Sequence, residues 1–379
     1  MLNSKASVPD ALIIGAGVIG MLSALRLHQA GLRVEVLDQA SLPGKEASWA
    51  GGGIISPLFP WRYADAVNRL AAYGQKVYPE LAQELATNTG IDPEYTRNGL
   101  LMLPGEEQAL GEEAEDWARR WQLESQALDR ATLAALAPAI RGAERALWWP
   151  SIGQIRNPRL VKALAERLRR LQIPVRTGVR VDGIEQTGGQ VRGVLSSSGR
   201  LAAGKVIVTA GAWTGRLMEG FGYSLPVEPV RGQMILFRAQ PGWLRQMVLS
   251  DSHYLVPRRD GRILAGSTLE WVGFDKSPTA QAASLLREKA LALAPGLEDF
   301  PVEHHWAGLR PGAPEGVPFI GEAPDCRGLY VCAGQFRNGI VMAPGSVALL
   351  ADLVLQQTPW LDPLPYALNR TPVPASEAV

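Results

Sequence analysis

The sequence predicts an α/β fold, α+β overall, in which a Rossmann-like nucleotide-binding domain carries an inserted antiparallel-sheet domain. Three observations carry that prediction. The apolar run Ala11-Leu-Ile-Ile14 leads into Gly15-x-Gly17-x-x-Gly20 and then an amphipathic stretch, which is the order strand, tight turn, helix. A second apolar run ends in Asp38, roughly 20 residues beyond the glycines, as a dinucleotide fingerprint requires. From residue 227 to 268 the pattern changes to short strands separated by turn signals, the mark of an antiparallel sheet.

Each part of the first unit has a mechanical job. Gly15 permits the sharp strand-to-helix turn, Gly17 lets the backbone approach a pyrophosphate, and Gly20 lets helix and strand pack without an intervening Cβ. Val18 and Ile19 open the helix, whose unpaired N–H groups and partial positive charge favour an anion. Asp38, followed by Gln39, is placed to accept hydrogen bonds from both ribose hydroxyls, and an acid there disfavours a 2′-phosphate. NAD and FAD remain.

At 379 residues the chain exceeds the size at which a single core stops growing, so two domains are expected. The balance of 38 basic against 37 acidic residues, without a block of like charge, disfavours a nucleic acid or an anionic membrane as partner and favours a small molecule. Cys326 and Cys332 match neither a disulfide framework nor a zinc site and read as core thiols in a reducing, cytoplasmic setting. The four histidines form no ligand cluster, so no metal is expected. No stretch of about 20 apolar residues suggests a membrane span. The apolar segment 11–25 lacks the flanks of a signal sequence. No Gly-x-Ser-x-Gly elbow supports a hydrolase.

Along the chain, Ser48-Trp-Ala50-Gly51-Gly52-Gly53 brings three consecutive glycines near the nucleotide. Residues 65–87 and 106–137 have helical periodicity. Asn157-Pro158 reads as an N-cap followed by proline at the first helical position. Strands are expected at 173–176, 190–194 and 205–212, the last returning the chain to the nucleotide domain with Val179 and Gly211 beside it. Further strands are expected at 230–237, 253–256 and 263–265, with a turn at Asp260-Gly261. A helix near 280–293 follows, then a strand at 304–309. The run 328–334 opens onto a final helix near 346–356. The expected division is 1–80, 150–225 and 310–366 for the nucleotide domain and 81–149 and 226–309 for the substrate domain, with 367–379 a flexible tail.

A nicotinamide dehydrogenase continues its strand–helix alternation for about 150 residues, and this chain does not. Its first βαβ unit is completed by residues 206–212 and 331–342, which suits a long cofactor whose far end meets the C-terminal helix. FAD fits, in a domain of the glutathione-reductase type.

The sequence also resembles the FAD-dependent D-amino-acid oxidase superfamily and, within it, the bacterial glycine oxidases associated with thiamine biosynthesis. The resemblance spans nearly the whole chain. It rests on the glycine fingerprint, Trp49-Ala-Gly-Gly-Gly-Ile54, Pro229-Val-Arg-Gly-Gln-Met234, Tyr254-Leu-Val-Pro-Arg258, Trp306-Ala-Gly-Leu-Arg-Pro311, Pro318-Phe-Ile-Gly321 and Gly334-Gln-Phe-Arg-Asn-Gly-Ile340. It implies that Arg310 pairs bidentately with a substrate carboxylate, that Tyr254 donates its hydroxyl to the same group, and that Arg337 lies beside flavin and substrate. A planar guanidinium suits a carboxylate and stays charged when desolvated. His253, before Tyr254, is a further pocket candidate. The segment Gly334, Gln335, Phe336, Arg337, Asn338, Gly339, Ile340 and Val341 is expected against the cofactor.

The implied reaction passes hydride from an amino acid Cα to flavin N5, giving an imino acid that hydrolyses to a 2-oxo acid and ammonia, while dioxygen becomes hydrogen peroxide. Glycine, sarcosine and small D-amino acids are the implied substrates. The flavin is the electrophile, so no dedicated general base is expected. Neither cysteine sits in a flavin-attachment motif, so noncovalent FAD is expected. Relatives suggest a homo-oligomer. The alternatives are a D-amino-acid dehydrogenase delivering electrons to a quinone, an NAD-dependent dehydrogenase, and a flavin-binding protein without turnover.

Overall fold

A computed structural model of the chain describes residues 8–105 and 112–370. The apolar run forms strand β1 (Ala11–Ile14), the glycine turn leads into helix α1 (Val18–Gln29), and the second run forms β2 (Val34–Asp38). These sit in a six-stranded sheet whose order is Phe319–Glu322, Leu329–Ala333, Lys205–Val208, β1, β2, Val175–Thr177. Its pairings are parallel except at the Phe319–Glu322 edge. All four residues of β1 are buried, as a central parallel strand covered on both faces must be.

An eight-stranded sheet runs Val302–Gly312, Glu228–Arg238, Arg262–Gly266, His253–Pro257, Met247–Ser250, Leu100–Met102, Arg145–Trp149, Gln126–Asp129. Its pairs are antiparallel except Met247–Ser250 with Leu100–Met102. A separate three-stranded sheet is built from Val181–Thr187, Gln190–Ser196 and Gly199–Ala202.

Helix Asp65–Thr89 packs on the last helix, Gly339–Val354, at unusually close range. A Cβ on Gly74 would lie 1.8 Å from the Val341 carbonyl oxygen, and one on Gly345 would lie 2.7 Å from that of Leu70. Two side-chain-free positions thus let the backbones touch, and the apolar surface removed from water stabilises the contact. This packing holds the N-terminal end of the last helix against the parallel sheet. Function enters there.

Several local expectations change. The periodic stretch 106–137 is not one helix: among its described residues, helices Glu112–Arg120 and Arg130–Leu136 flank the strand Gln126–Asp129. That strand exists because Arg145–Trp149 offers a partner, and a short alternating run cannot announce a distant partner. Asn157 is the first helical residue rather than the cap, and its Nδ2 donates to the Ser48 carbonyl at 3.1 Å. The final helix begins at Gly339, ahead of residue 346. The domain limits placed at 80/81 and 309/310 fall inside helix Asp65–Thr89 and strand Val302–Gly312. Composition shifts do not mark where a continuous element passes from one layer to another. Arg370, placed in a flexible tail, donates to the Val317 and Pro318 carbonyls and lies 3.7 Å from the Phe319 ring centroid. Residues 371–379 lie outside the described residues.

Candidate active site

A cavity of about 700 Å³ runs from the glycine turn to the antiparallel sheet, within the size range of cofactor and ligand sites. Its nucleotide end is made of backbone. Gly15, with φ at 106°, turns the chain as expected, and Gly17, Val18 and Ile19 line the wall. Gly20 does not line it. A Cβ there would lie 1.9 Å from the Gly15 carbonyl oxygen, so Gly20 serves the packing of turn on helix.

Two of the turn's N–H groups are already engaged by side chains. Ala16 N–H donates to Asp38 Oδ2 at 2.6 Å and Val18 N–H to Ser48 Oγ at 2.9 Å, so Ser48 reaches across to the helix start and Asp38 ties the tip of β2 to the turn. Asp38 also accepts from Ala40 N–H at 2.8 Å. Burial pushes its carboxyl above the usual range, the Ala16 and Ala40 N–H groups pull it back, and Glu46 adds to the rise. Asp38 and Gln39 both face the cavity, and a carboxylate accepting two bonds keeps lone pairs for a ligand.

Gly51, Gly52, Val179 and Gly211 line the middle of the cavity, with Gln335 to Val341 beyond them. Gly211 takes φ of 54°, and nothing lies within 4 Å of where its Cβ would be. Ala50 turns away: its carbonyl accepts from Trp306 Nε1 at 3.1 Å, and a Cβ on Gly308 would lie 2.5 Å from its methyl. Gly334 forms the turn after strand Leu329–Ala333 with φ of 90° and is absent from the lining.

The far end is made of side chains. Arg310 lies on strand Val302–Gly312, paired to Val230 of the neighbouring strand. Its guanidinium occupies space that only Gly232 leaves open, since a Cβ there would lie 2.0 Å from Nη1. Nη1 donates to the Thr268 carbonyl at 3.1 Å and Nη2 to Ser267 Oγ at 2.8 Å. No carboxylate pairs with Arg310 among the described residues. Burial pushes its pKa down, Tyr254 opposing the shift and Arg337 adding to it. Arginine nonetheless stays protonated in proteins.

Tyr254 is buried and lines the cavity. Its ring is held by two glycines: Cβ atoms on Gly52 and Gly266 would lie 2.9 Å and 3.1 Å from it. Arg337 lines the same end and makes no ion pair among the described residues. His253 does not reach the cavity lining, because strand alternation sends it to the face opposite Tyr254. Burial lowers its pKa. No histidine lines the cavity among the described residues, and they contain no group that could hold a metal.

Sequence reading missed Ser267, Thr209, Glu46, Trp213 and Cys332 at the cavity wall. Thr209 was within reach of it, since the apolar run 205–208 ends there; its Oγ1 donates to the Ile14 and Gly15 carbonyls, both at 3.0 Å. Ser267 carries no motif. It is found only through Arg310.

The open space beside Gly17, Gly51 and Gly211, joined to an unpaired guanidinium, fits an extended dinucleotide with a small anion beyond it. The family model described as FAD dependent oxidoreductase matches residues 10–353. The glycine oxidase of Pseudomonas putida is 46% identical over 360 residues, covering 94% of this chain and 98% of that protein. A protein of a Synechocystis species named bifunctional protein ThiO/ThiG is 34% identical over 95% of this chain and 53% of its own length. The crystal structure of glycine oxidase from Geobacillus kaustophilus superposes with a TM-score of 0.88 at 30% identity, over 96% of this chain and 99% of that one.

Proposed function

The chain belongs to the FAD dependent oxidoreductase family, and from that premise we propose that it is an FAD-dependent glycine oxidase. The observation that carries this reading is Arg310, an enclosed cation without an acid partner among the described residues, beside the Tyr254 ring in the cavity that begins at the glycine turn. A carboxylate supplies the missing charge in bidentate geometry. The Tyr254 hydroxyl is available as a further donor.

The cofactor is FAD; Gly15, Gly17, Val18, Ile19 and Asp38 would hold its ADP end, and Gly51, Gly52 and the segment Gln335 to Val341 would hold it toward its ring. When bound it supplies the two-electron acceptor for the substrate's Cα–H bond. The chain's own residues bind and orient: Arg310 and Tyr254 fix the carboxylate. Arg337 stands where it can serve either the ring or the substrate. The overall conversion is glycine, dioxygen and water to glyoxylate, ammonia and hydrogen peroxide, by way of an imine that hydrolyses. Sarcosine and small D-amino acids are the further substrates proposed, and supply of the imine to thiamine biosynthesis is the proposed role.

Noncovalent attachment is supported by Cys326 lying off the cavity lining and by the Cys332 thiol, at the cavity wall, being kept protonated, pushed up to about 12 by burial against a smaller pull from Gln335. We also propose a two-domain division, with the parallel sheet holding the cofactor and the antiparallel sheet the substrate, a homo-oligomer and a cytoplasmic location. No helix among the described residues is long and apolar enough to cross a membrane.

The test is anaerobic mixing of the flavin-loaded protein with a panel of small amino acids. Bleaching by glycine, and peroxide release in air, are expected. Bleaching without peroxide points to a quinone-linked dehydrogenase, and no bleaching by any amino acid overturns the proposal.

A further inference from the structure

Arg310 and Tyr254 account for two of the donors that meet the substrate carboxylate. A third polar group stands at the same place. Ser267 follows strand Arg262–Gly266 directly, is 7% exposed, and lines the cavity beside Arg310. Its Oγ accepts from Arg310 Nη2 at 2.8 Å, and among the described residues its hydroxyl proton has no acceptor. A serine hydroxyl carries one donor and two acceptor sites, so one acceptor site is used and the donor is left over.

We infer that Ser267 donates this hydrogen bond to the substrate carboxylate, acting as a binding residue of the same site. The inference rests on the reading of Arg310 as carboxylate partner. Acceptance from a guanidinium polarises the hydroxyl and strengthens it as a donor, and its acceptor is charged, which places the bond in the stronger class.

The segment around Ser267 is held in place independently of any ligand. Thr268 N–H donates to the Gln233 carbonyl at 3.4 Å and Gln233 N–H to Thr268 Oγ1 at 2.9 Å. Thr268 Oγ1 donates to Glu270, which accepts from Arg231 Nη2 at 2.6 Å and Gln233 Nε2 at 2.9 Å. Glu270 and Arg231 also exchange backbone bonds at 2.8 Å and 3.0 Å. Arg231 therefore occupies the acid nearest in sequence to Ser267. Glu270 is kept on Arg231, while Ser267 and the Thr268 carbonyl are turned to Arg310. The arrangement fixes the guanidinium on one side and leaves its other N–H groups, with the Ser267 proton, for an anion.

The experiment measures acetate, a carboxylate without an amine, by its perturbation of the flavin spectrum in the FAD-loaded protein. Ser267→Ala, Ser267→Thr and Arg310→Met are compared, each first shown to retain its flavin. Ser267→Ala is expected to raise the acetate dissociation constant about tenfold, the size of one hydrogen bond to a charged group, and Ser267→Thr to restore most of it. The KM for glycine should rise in parallel, with a much smaller change in kcat. If Arg310→Met binds acetate as tightly as the parent, the Arg310 reading fails and this inference with it. If Arg310→Met loses acetate while Ser267→Ala binds normally, only the Ser267 inference is overturned. A loss shared equally by Ser267→Thr also overturns it, because the hydroxyl is then not the cause.

Discussion

The two ends of the cavity solve recognition in opposite ways. At the glycine turn the groups facing a ligand are backbone, shaped within one βαβ unit and trimmed by two side-chain acceptors, Asp38 and Ser48. At the Arg310 end they are side chains drawn from separate strands, each seated where a glycine leaves room: Gly232 for Arg310, Gly52 and Gly266 for Tyr254. A backbone site tolerates change in side chains but not in turn geometry. A side-chain site depends on every piece of its support.

Arg258 makes the contrast sharper, because it too is a part-buried guanidinium, one residue past strand His253–Pro257 of the antiparallel sheet. It donates to Gln154 Oε1 at 2.5 Å, the Ile155 carbonyl at 3.2 Å and the Gly52 carbonyl at 2.8 Å, and burial pushes its pKa down to about 10. Its bonds tie the glycine loop to the sheet. Arg310 spends two donors on the protein and keeps the rest for the cavity. The same residue type is a strut in one place and a receptor in the other, and the difference is where the acceptors lie.

The largest expected effect breaks the side-chain end alone. Arg310→Met should cost about 3 to 5 kcal/mol of substrate binding, since it removes one partner of an enclosed charge pair, while flavin content stays full. An unchanged KM for glycine would remove Arg310 from the site. Gly232→Ala should follow with about 1 to 3 kcal/mol, because its methyl takes the guanidinium's place; steady-state kinetics beside a flavin titration would show whether the loss falls on substrate alone.

Asp38→Ala tests the opposite end. It releases Ala16 and Ala40 N–H groups as well as any ribose contact, so FAD affinity should fall by about 1 to 3 kcal/mol, while acetate binding to the reloaded protein is unchanged. Full cofactor retention after gel filtration would count against it. Tyr254→Phe should cost about 1 kcal/mol, the worth of one hydroxyl, read as a modest rise in KM. Smallest is a pH effect on the wall itself. The Cys332 thiol, raised from 9.0 to about 12 when folded, ionises first in the unfolded chain, so its contribution is whole below pH 9 and is lost as pH rises toward 12. Denaturant melts of Cys332→Ala across that window should show a shallower decline than the parent, and equal slopes would refute the assignment.

Legibility in the sequence followed the same divide. The turn Gly15 to Gly20 and Asp38 were readable because their roles depend on residues a few positions away, and helix Ala280–Leu293 lies where the sequence placed it. Strand Gln126–Asp129 was hidden because its partner comes later in the chain. Gly20, Ala50 and Gly334 belonged to the right segments, but which atoms face the cavity depends on what packs behind them. His253 was misplaced through its neighbour Tyr254, one residue of register being enough to turn a side chain to the other face.

The sequence by itself determined the dinucleotide turn, the alternation of layers and, through its resemblance, the residue types at the reacting end, because short-range geometry and motif spacing are written in consecutive residues. Tertiary structure alone decided that Arg310 has no acid partner among the described residues, that Arg231 holds Glu270, and that Ser267 stands beside the guanidinium. Those facts come from strands distant in sequence lying side by side, where burial removes water and makes each unpaired donor or charge count.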